Sequence, residues 1–237
     1  GYFNDLYWGS YEQYERAERY DHLGMKLNNP RTKTVKGCPY DCGICPEHKS
    51  HTVLAIIDVT NRCNLSCPIC FAHAGAVGYI YEPTQEQMRG MLENLRANDP
   101  VKPPALQFSG GEPTVREDLS DLVKMAKEMG FDHVEVNSNG LRMAESVDYC
   151  RTLKEAGVST VYLQFDGVTE EPYLTARGRP LLDVKRKALE NLKKGGFKSV
   201  VLVPTLVRGV NDSQVGNIIR FAIGNRGIVR CVNFQPV

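Results

Sequence analysis

The residues best suited to chemistry in this chain are Cys63, Cys67 and Cys70, set in Asn61-Arg62-Cys63-Asn64-Leu65-Ser66-Cys67-Pro68-Ile69-Cys70. A Cys-x3-Cys-x2-Cys spacing on an irregular loop lets three soft thiolate donors converge on one metal centre. Strand geometry would point successive side chains to opposite faces. A [4Fe–4S] cube usually takes four thiolates, so a local set of three leaves one iron open to a small molecule. Zinc is the competing occupant. It asks for a fourth Cys or His nearby, and His73 has that spacing.

A second triplet, Cys38, Cys42 and Cys45, repeats the spacing upstream. A second metal centre is expected there: an auxiliary [4Fe–4S] cluster, a mononuclear iron or a structural zinc, with His48 or a distant cysteine as fourth ligand. Disulfides suit short secreted domains, and this chain reads as neither short nor secreted. The remaining two of the eight cysteines, Cys150 and Cys231, read as core residues.

The other chemical signal is Gln107-Phe108-Ser109-Gly110-Gly111-Glu112-Pro113. Paired glycines at the end of a strand let a ligand approach the backbone, and Glu112 adds a carboxylate that can take an ammonium group. A plain turn with a surface glutamate is the simpler reading of these residues alone. Asn137-Ser138-Asn139-Gly140 and Gln164-Phe165-Asp166-Gly167 end two further strands, where polar residues before glycine also suit ordinary turns. Arg177, Arg179 and Arg208 are loop cations that could hold an anionic substrate, with a solvated surface charge as the simpler reading of each.

These residues need a scaffold. Apolar runs expected to form strands are 53–59, 105–109, 133–137, 161–166, 199–205 and 229–235. Helical periodicity falls between them: Met88, Met91, Leu92 and Leu95 share one face, as do Leu119, Leu122, Val123 and Ala126, and Val215, Ile218, Ile219 and Ala222. Less regular helices fit at 144–156 and 181–194, and Gly130, Gly157 and Gly195 suit helix C-caps. Alternating strands and helices mean a parallel sheet with right-handed crossovers. The expected fold is α/β: a (β/α)6 partial barrel over residues 52–237, behind an aromatic and cysteine-rich extension over residues 1–51. In that extension Tyr7, Tyr11 and Tyr14 suggest one short helix. An open doubly wound sheet is the competing architecture.

The chain has 237 residues, 42% of them hydrophobic and 24% charged, with a net charge of +1, which is ordinary globular composition. That charge balance does not point to nucleic acid, and no partner of that class is expected. No apolar run approaches the roughly 20 residues that span a bilayer. The first residues are not a signal peptide. The chain does not start with Met and stops after the sixth strand, so a longer natural protein with a C-terminal part is expected.

The cysteine loop after the first strand and Gly110-Gly111-Glu112-Pro113 after the second resemble the radical S-adenosylmethionine (SAM) superfamily. The resemblance covers residues 52–237. It implies that Cys63, Cys67 and Cys70 ligate three irons of a [4Fe–4S] cluster and that the amino and carboxylate groups of SAM chelate the fourth. One-electron cleavage of SAM would then give methionine and a 5′-deoxyadenosyl radical that takes hydrogen from an unactivated C–H bond. Gly110, Gly111 and Glu112 would meet the methionine amino group, and Ser138, Asn139, Gln164 and Asp166 the ribose or the methionine carboxylate. The position before the last cysteine is often aromatic in the superfamily and here is Ile69, which weakens any expectation of adenine stacking there.

With both triplets taken together, the chain is similar to a narrower group, the archaeal-type tetraether lipid synthases and a related dihydropterin methyltransferase. That similarity implies extra iron centres and one of two reactions. The first is carbon–carbon bond formation between lipid chains; the alternative is methylation of 7,8-dihydro-6-hydroxymethylpterin. A non-catalytic iron–sulfur or zinc protein would explain the cysteines but not the glycine turn beside them. A small-molecule or lipid substrate and a low-potential electron donor, such as a ferredoxin or flavodoxin, are the expected partners. Oxygen-sensitive clusters point to a reducing cytoplasm, with peripheral membrane contact if the substrate is a lipid.

Overall fold

The computed structural model describes residues 28–37, 40, 41, 44–46, 48, 51–72, 74 and 78–237. Cys38, Cys42, His73 and the Tyr7–Tyr14 repeat lie outside them.

The main sheet has six parallel strands in chain order: β1 (Leu54–Thr60), β2 (Ala105–Gly110), β3 (His133–Ser138), β4 (Thr160–Gln164), β5 (Val200–Val203) and β7 (Val229–Val232). The order is that of a partial barrel, as expected. A short parallel pair, β6 (Thr205–Leu206) and β8 (Gln235–Pro236), forms a second small sheet. The two runs expected as single strands over 199–205 and 229–235 therefore each break. Pro204 interrupts the first; Asn233 and Phe234 interrupt the second.

Each strand alternates between two faces. Val59, Leu106, Phe108, Val134, Val136, Val161, Leu163, Val200 and Leu202 are 0% exposed and turn outward under the helices. The crossover helices are α1 (Gln85–Arg96), α2 (Leu119–Glu128), α3 (Leu141–Glu145), α4 (Val147–Ala156), α5 (Glu171–Arg177), α6 (Leu182–Lys194) and α7 (Val215–Gly224). The expected helix at 144–156 is two helices. Ser146 leaves the helical conformation and caps α4, its side chain accepting from Tyr149 N. Gly130 and Gly157 carry positive φ, but at the end of α6 Gly196 does, with φ +90°, rather than Gly195. On α7 only Ile218 and Ala222 are buried; Ile219 and Ile223 stay exposed.

The residues divide into two compact units, Leu54–Asn94 with Pro104–Val237, and Gly1–Val53 with Leu95–Pro103. Residues 95–103 group with the N-terminal unit. Within that unit Asn28 N donates to Asp99 O at 2.9 Å and Asn29 Nδ2 to Ala97 O at 2.7 Å. The Asp41 carboxylate accepts the N–H groups of Val35, Lys36 and Gly37, and these bonds hold it below the usual carboxylate range. Cys45 is buried.

Candidate active site

The loop that follows β1 is anchored at four places. Leu65 packs into an apolar cluster with Tyr173, Leu181 and Leu182, against which Cys63 and Cys67 also lie. Arg62 O and Thr60 O accept from Glu112 N and Gly111 N at 2.8 and 2.7 Å. Asn64 Oδ1 accepts from Asn139 Nδ2 at 2.7 Å. Ile69 is tied to α5: its N–H donates to Ala176 O at 3.2 Å, and its carbonyl accepts from Arg177 Nη1 at 2.8 Å.

The glycine pair serves this loop directly. A Cβ on Gly110 would lie 2.2 Å from Thr60 O, and one on Gly111 would lie 2.2 Å from Arg62 O. Gly110 also has φ +126°. The pair thus lets two backbones touch, a requirement separate from ligand approach.

At the C-terminal ends of the strands one cavity is lined by Cys63, Cys67 and Cys70 together with Gly110, Gly111, Glu112, Ser138, Asn139 and Gln164. Asn137, Thr205, Gln235 and Arg177 complete much of its polar wall. This is the end of a parallel barrel where ligands gather.

Glu112 is 1% exposed. Its Oε1 accepts from Thr114 N (3.1 Å), Thr114 Oγ1 (2.6 Å) and Ser138 Oγ (2.8 Å), and its Oε2 from Asn139 N at 2.7 Å. Oε2 therefore keeps a lone pair for a further donor. Behind the wall, Lys185 is 0% exposed and donates to Asn139 O and, at 2.6 Å, to Gln164 Oε1.

Asp166 departs from its expected role. It does not line the cavity; it is 0% exposed and bound by Arg177, with Nε on Oδ2 at 2.7 Å and Nη2 on Oδ1 at 2.8 Å. Thr205 N and Gln164 Nε2 also donate to it. A carboxylate so enclosed positions other groups and is not open to a ribose hydroxyl. Arg177, expected as a solvated cation, is 8% exposed instead. Besides Asp166 and Ile69 it donates to Thr205 Oγ1 at 2.7 Å and interacts with the Cys67 thiol.

Two of these residues carried sequence signals that went unread. Lys185 sits on the apolar stripe of α6 with Leu182, Ala188 and Leu192, where a solvated lysine has no place. Helix α5 starts at Glu171-Pro172 and ends at Gly178 with φ +77°, an N-terminal proline and C-terminal glycine pattern. At seven residues it shows too little periodicity to stand out.

The donor set fits an iron–sulfur cluster. Burial pushes the Cys63 thiol up, and it does the same to Cys67 against the pull of Arg177. Such thiols are poor free nucleophiles, whereas a metal deprotonates them outright. Among the described residues no three His, Cys, Asp or Glu side chains close on a single ion. The three thiols line the same cavity, and soft thiolate donors of this kind suit an iron–sulfur cluster.

A parallel partial barrel with three such cysteines above its first strand defines a class, and sequence comparison states it: the Radical SAM superfamily model matches residues 57–222. The chain belongs to that superfamily. It is 58% identical over all 237 residues to the 7,8-dihydro-6-hydroxymethylpterin dimethyltransferase of Methanocaldococcus jannaschii, of which it spans 46%. It is 26% identical over 188 residues to the GTP 3′,8-cyclase of Rhodopirellula baltica, covering 76% of this chain and 50% of that protein. The chain thus spans about half the length of these relatives. In fold it is similar to methylornithine synthase, with a TM-score of 0.60 at 19% identity over 78% of this chain and 55% of that one. SuiB of Streptococcus suis bound to S-adenosylmethionine gives a TM-score of 0.65 at 16% identity, over 79% of this chain and 41% of that one. Among the described residues no helix is long and apolar enough to cross a membrane.

Proposed function

We propose that this chain is the radical core of a methyltransferase acting on 7,8-dihydro-6-hydroxymethylpterin. The observation that carries this reading is the 58% identity across the whole chain to the methanogen enzyme of that name. Lipid-chain coupling, the first expectation from sequence, has no comparable support.

The lumen-facing side of the sheet favours a polar ring over a lipid tail. Gln107, Ser109, Glu135, Asn137, Tyr162 and Gln164 alternate with the helix-facing residues and form that wall on β2, β3 and β4, between apolar Ile56 on β1 and Val201 and Val203 on β5. A lipid there would strip these groups of water without replacing their hydrogen bonds. The GTP named for the cyclase relative shares with the pterin a 2-amino-4-oxopyrimidine ring.

In this reading Cys63, Cys67 and Cys70 would hold the [4Fe–4S] cluster through three of its irons, leaving the fourth open to SAM. When bound, the cluster supplies the electron that splits SAM into methionine and a hydrogen-abstracting 5′-deoxyadenosyl radical. The remaining lone pair of Glu112 Oε2 accepts from the methionine amino group beside Gly110 and Gly111. Ser138, Asn139 and Gln164, already fixed by Glu112, Asn64 and Lys185, present their spare hydrogen-bonding capacity to the ribose or carboxylate. Cys38, Cys42 and Cys45 hold a second iron centre. A low-potential donor such as a ferredoxin or flavodoxin supplies electrons.

The test is anaerobic, on full-length protein reconstituted with iron and sulfide. With SAM, dithionite and the pterin, the wild type should yield 5′-deoxyadenosine and a pterin heavier by one or more methyl groups. Cys63→Ala should yield neither. Cleavage of SAM with the pterin left unchanged would overturn the substrate reading.

A further inference from the structure

Below the cavity the polar, lumen-facing wall of the sheet centres on one carboxylate, Glu135. Glu135 lies on β3 one strand repeat below Asn137, which itself lines the cavity. Its Oε2 accepts from Gln107 Nε2 at 2.8 Å, and its Oε1 is 3.0 Å from His133 Nε2. The side chain is 13% exposed, so it is largely withdrawn from solvent without being sealed. Each carboxylate oxygen keeps a second lone pair.

Donors flank it. Asn137 has an amide hydrogen to spare beyond a long 3.4 Å bond to Ser109 Oγ. Tyr162, in register with Asn137, accepts from Asn233 Nδ2 and keeps its own hydroxyl hydrogen. The lumen thus offers an acceptor-only carboxylate with neutral donors beside and above it, and the cysteine-lined cavity beyond.

We infer that Glu135 recognises the 2-amino-4-oxopyrimidine edge of the pterin, accepting N3–H on one oxygen and a 2-amino hydrogen on the other. The inference rests on the pterin reading. A carboxylate accepts two parallel N–H groups side by side, and low solvent access strengthens both bonds. Two residues along a strand span roughly 7 Å, a distance comparable to a bicyclic ring. An edge seated on Glu135 therefore puts the opposite end of the ring, with C7 and the C6 hydroxymethyl group, beside Asn137 and the cavity. That is the end a radical chemistry on this substrate would have to reach.

The test uses full-length protein and equilibrium binding of 7,8-dihydro-6-hydroxymethylpterin, followed by pterin fluorescence, beside the analogue carrying oxygen in place of the 2-amino group. The wild type should bind the amino compound more tightly. Glu135→Gln sets an amide N–H against a ligand N–H and should weaken pterin binding roughly 10- to 100-fold, with loss of the preference between the two compounds. Iron content and melting temperature report whether the variant is folded. Equal wild-type binding of the two compounds would overturn the inference without recourse to any variant. So would a folded Glu135→Gln protein that keeps both affinity and preference while the wild type methylates the pterin. A wild type that neither binds nor methylates the pterin overturns the substrate reading, and this inference with it.

Discussion

The guanidinium of Arg177 reaches from the end of α5 to the main-chain carbonyl of Ile69, 2.8 Å away and inside the cysteine loop. The same group grips Asp166 with two bonds, so helix, strand end and loop share one cation. Arg177→Ala leaves Asp166 charged, buried and unpaired, which costs about 3–5 kcal/mol. Arg177→Lys keeps the charge but not the planar fork, and should recover part of that loss while still freeing Ile69. Urea unfolding of the three proteins measures the first effect; hydrogen exchange across residues 63–70 measures the second. An Arg177→Ala protein as stable as the wild type would show the pair to be incidental.

The glycines separate packing from propensity. Gly111→Ala forces a Cβ to 2.2 Å from Arg62 O, and that carbonyl cannot retreat because it accepts from Glu112 N. Overpacking of this kind costs about 1–3 kcal/mol, and the displaced segment is the cysteine loop itself. Reconstituted iron content should fall along with stability. Gly90, inside α1, has nothing within 4 Å of its would-be Cβ. Gly90→Ala should therefore stabilise by about 0.5–1 kcal/mol. Equal effects at the two sites would remove the steric argument.

The six parallel strands were legible because each combines an apolar outer face with a turn signal, as Val134 and Val136 do ahead of Asn139-Gly140. That the three cysteines and the glycine turn would meet at one end of the sheet was legible because local spacing places them there. What escaped depended on distance in sequence. Arg177 looks like any loop cation until Asp166, Thr205 and Ile69 close around it, the last of these 108 residues away. Asp166 was misjudged for the same reason, since a polar residue at a strand end can face the ligand or brace the wall. Only the fold decides which.

Lys185 makes a pH prediction. Burial pulls its ammonium down to about 8; Asp166, Glu112 and Cys67 favour the charged form, and Arg177 opposes it. In the unfolded chain the group titrates near 10.4. Below pH 8 both states hold the proton and the cost of burying it is constant. Between about pH 8 and 10 only the unfolded state binds it, so this group's contribution to stability rises with pH. Lys185→Met removes that slope. It also leaves Asn139 O and Gln164 Oε1 without their donor, a pH-independent loss of about 1–3 kcal/mol for each. The stability of the wild type relative to the variant in urea unfolding should rise by roughly 1–2 kcal/mol from pH 7 to pH 9.5. A constant gap would mean that the buried lysine does not titrate in this range.

Glu112 is the most informative single change. Its partners are neutral N–H and O–H groups, and four hydrogen bonds offset the cost of burying the carboxylate. In Glu112→Gln one side of the group becomes a donor. The hydroxyls of Thr114 and Ser138 can rotate to accept from it, but the backbone N–H groups of Thr114 and Asn139 cannot. Whichever way the amide turns, a buried N–H loses its acceptor, at about 1–3 kcal/mol. If the new amine faces Asn139, the wall of the cavity loosens where Ser138, Asn139 and Asn64 meet. If it faces Thr114, the turn after β2 loosens. In either case the lone pair offered to an ammonium group is weakened or lost, so SAM affinity in the reconstituted protein should fall tenfold or more. Equilibrium dialysis with labelled SAM, run beside thermal melts, separates the two effects. Wild-type affinity in a destabilised Glu112→Gln protein would mean that the carboxylate braces the wall and that the methionine amino group is held elsewhere.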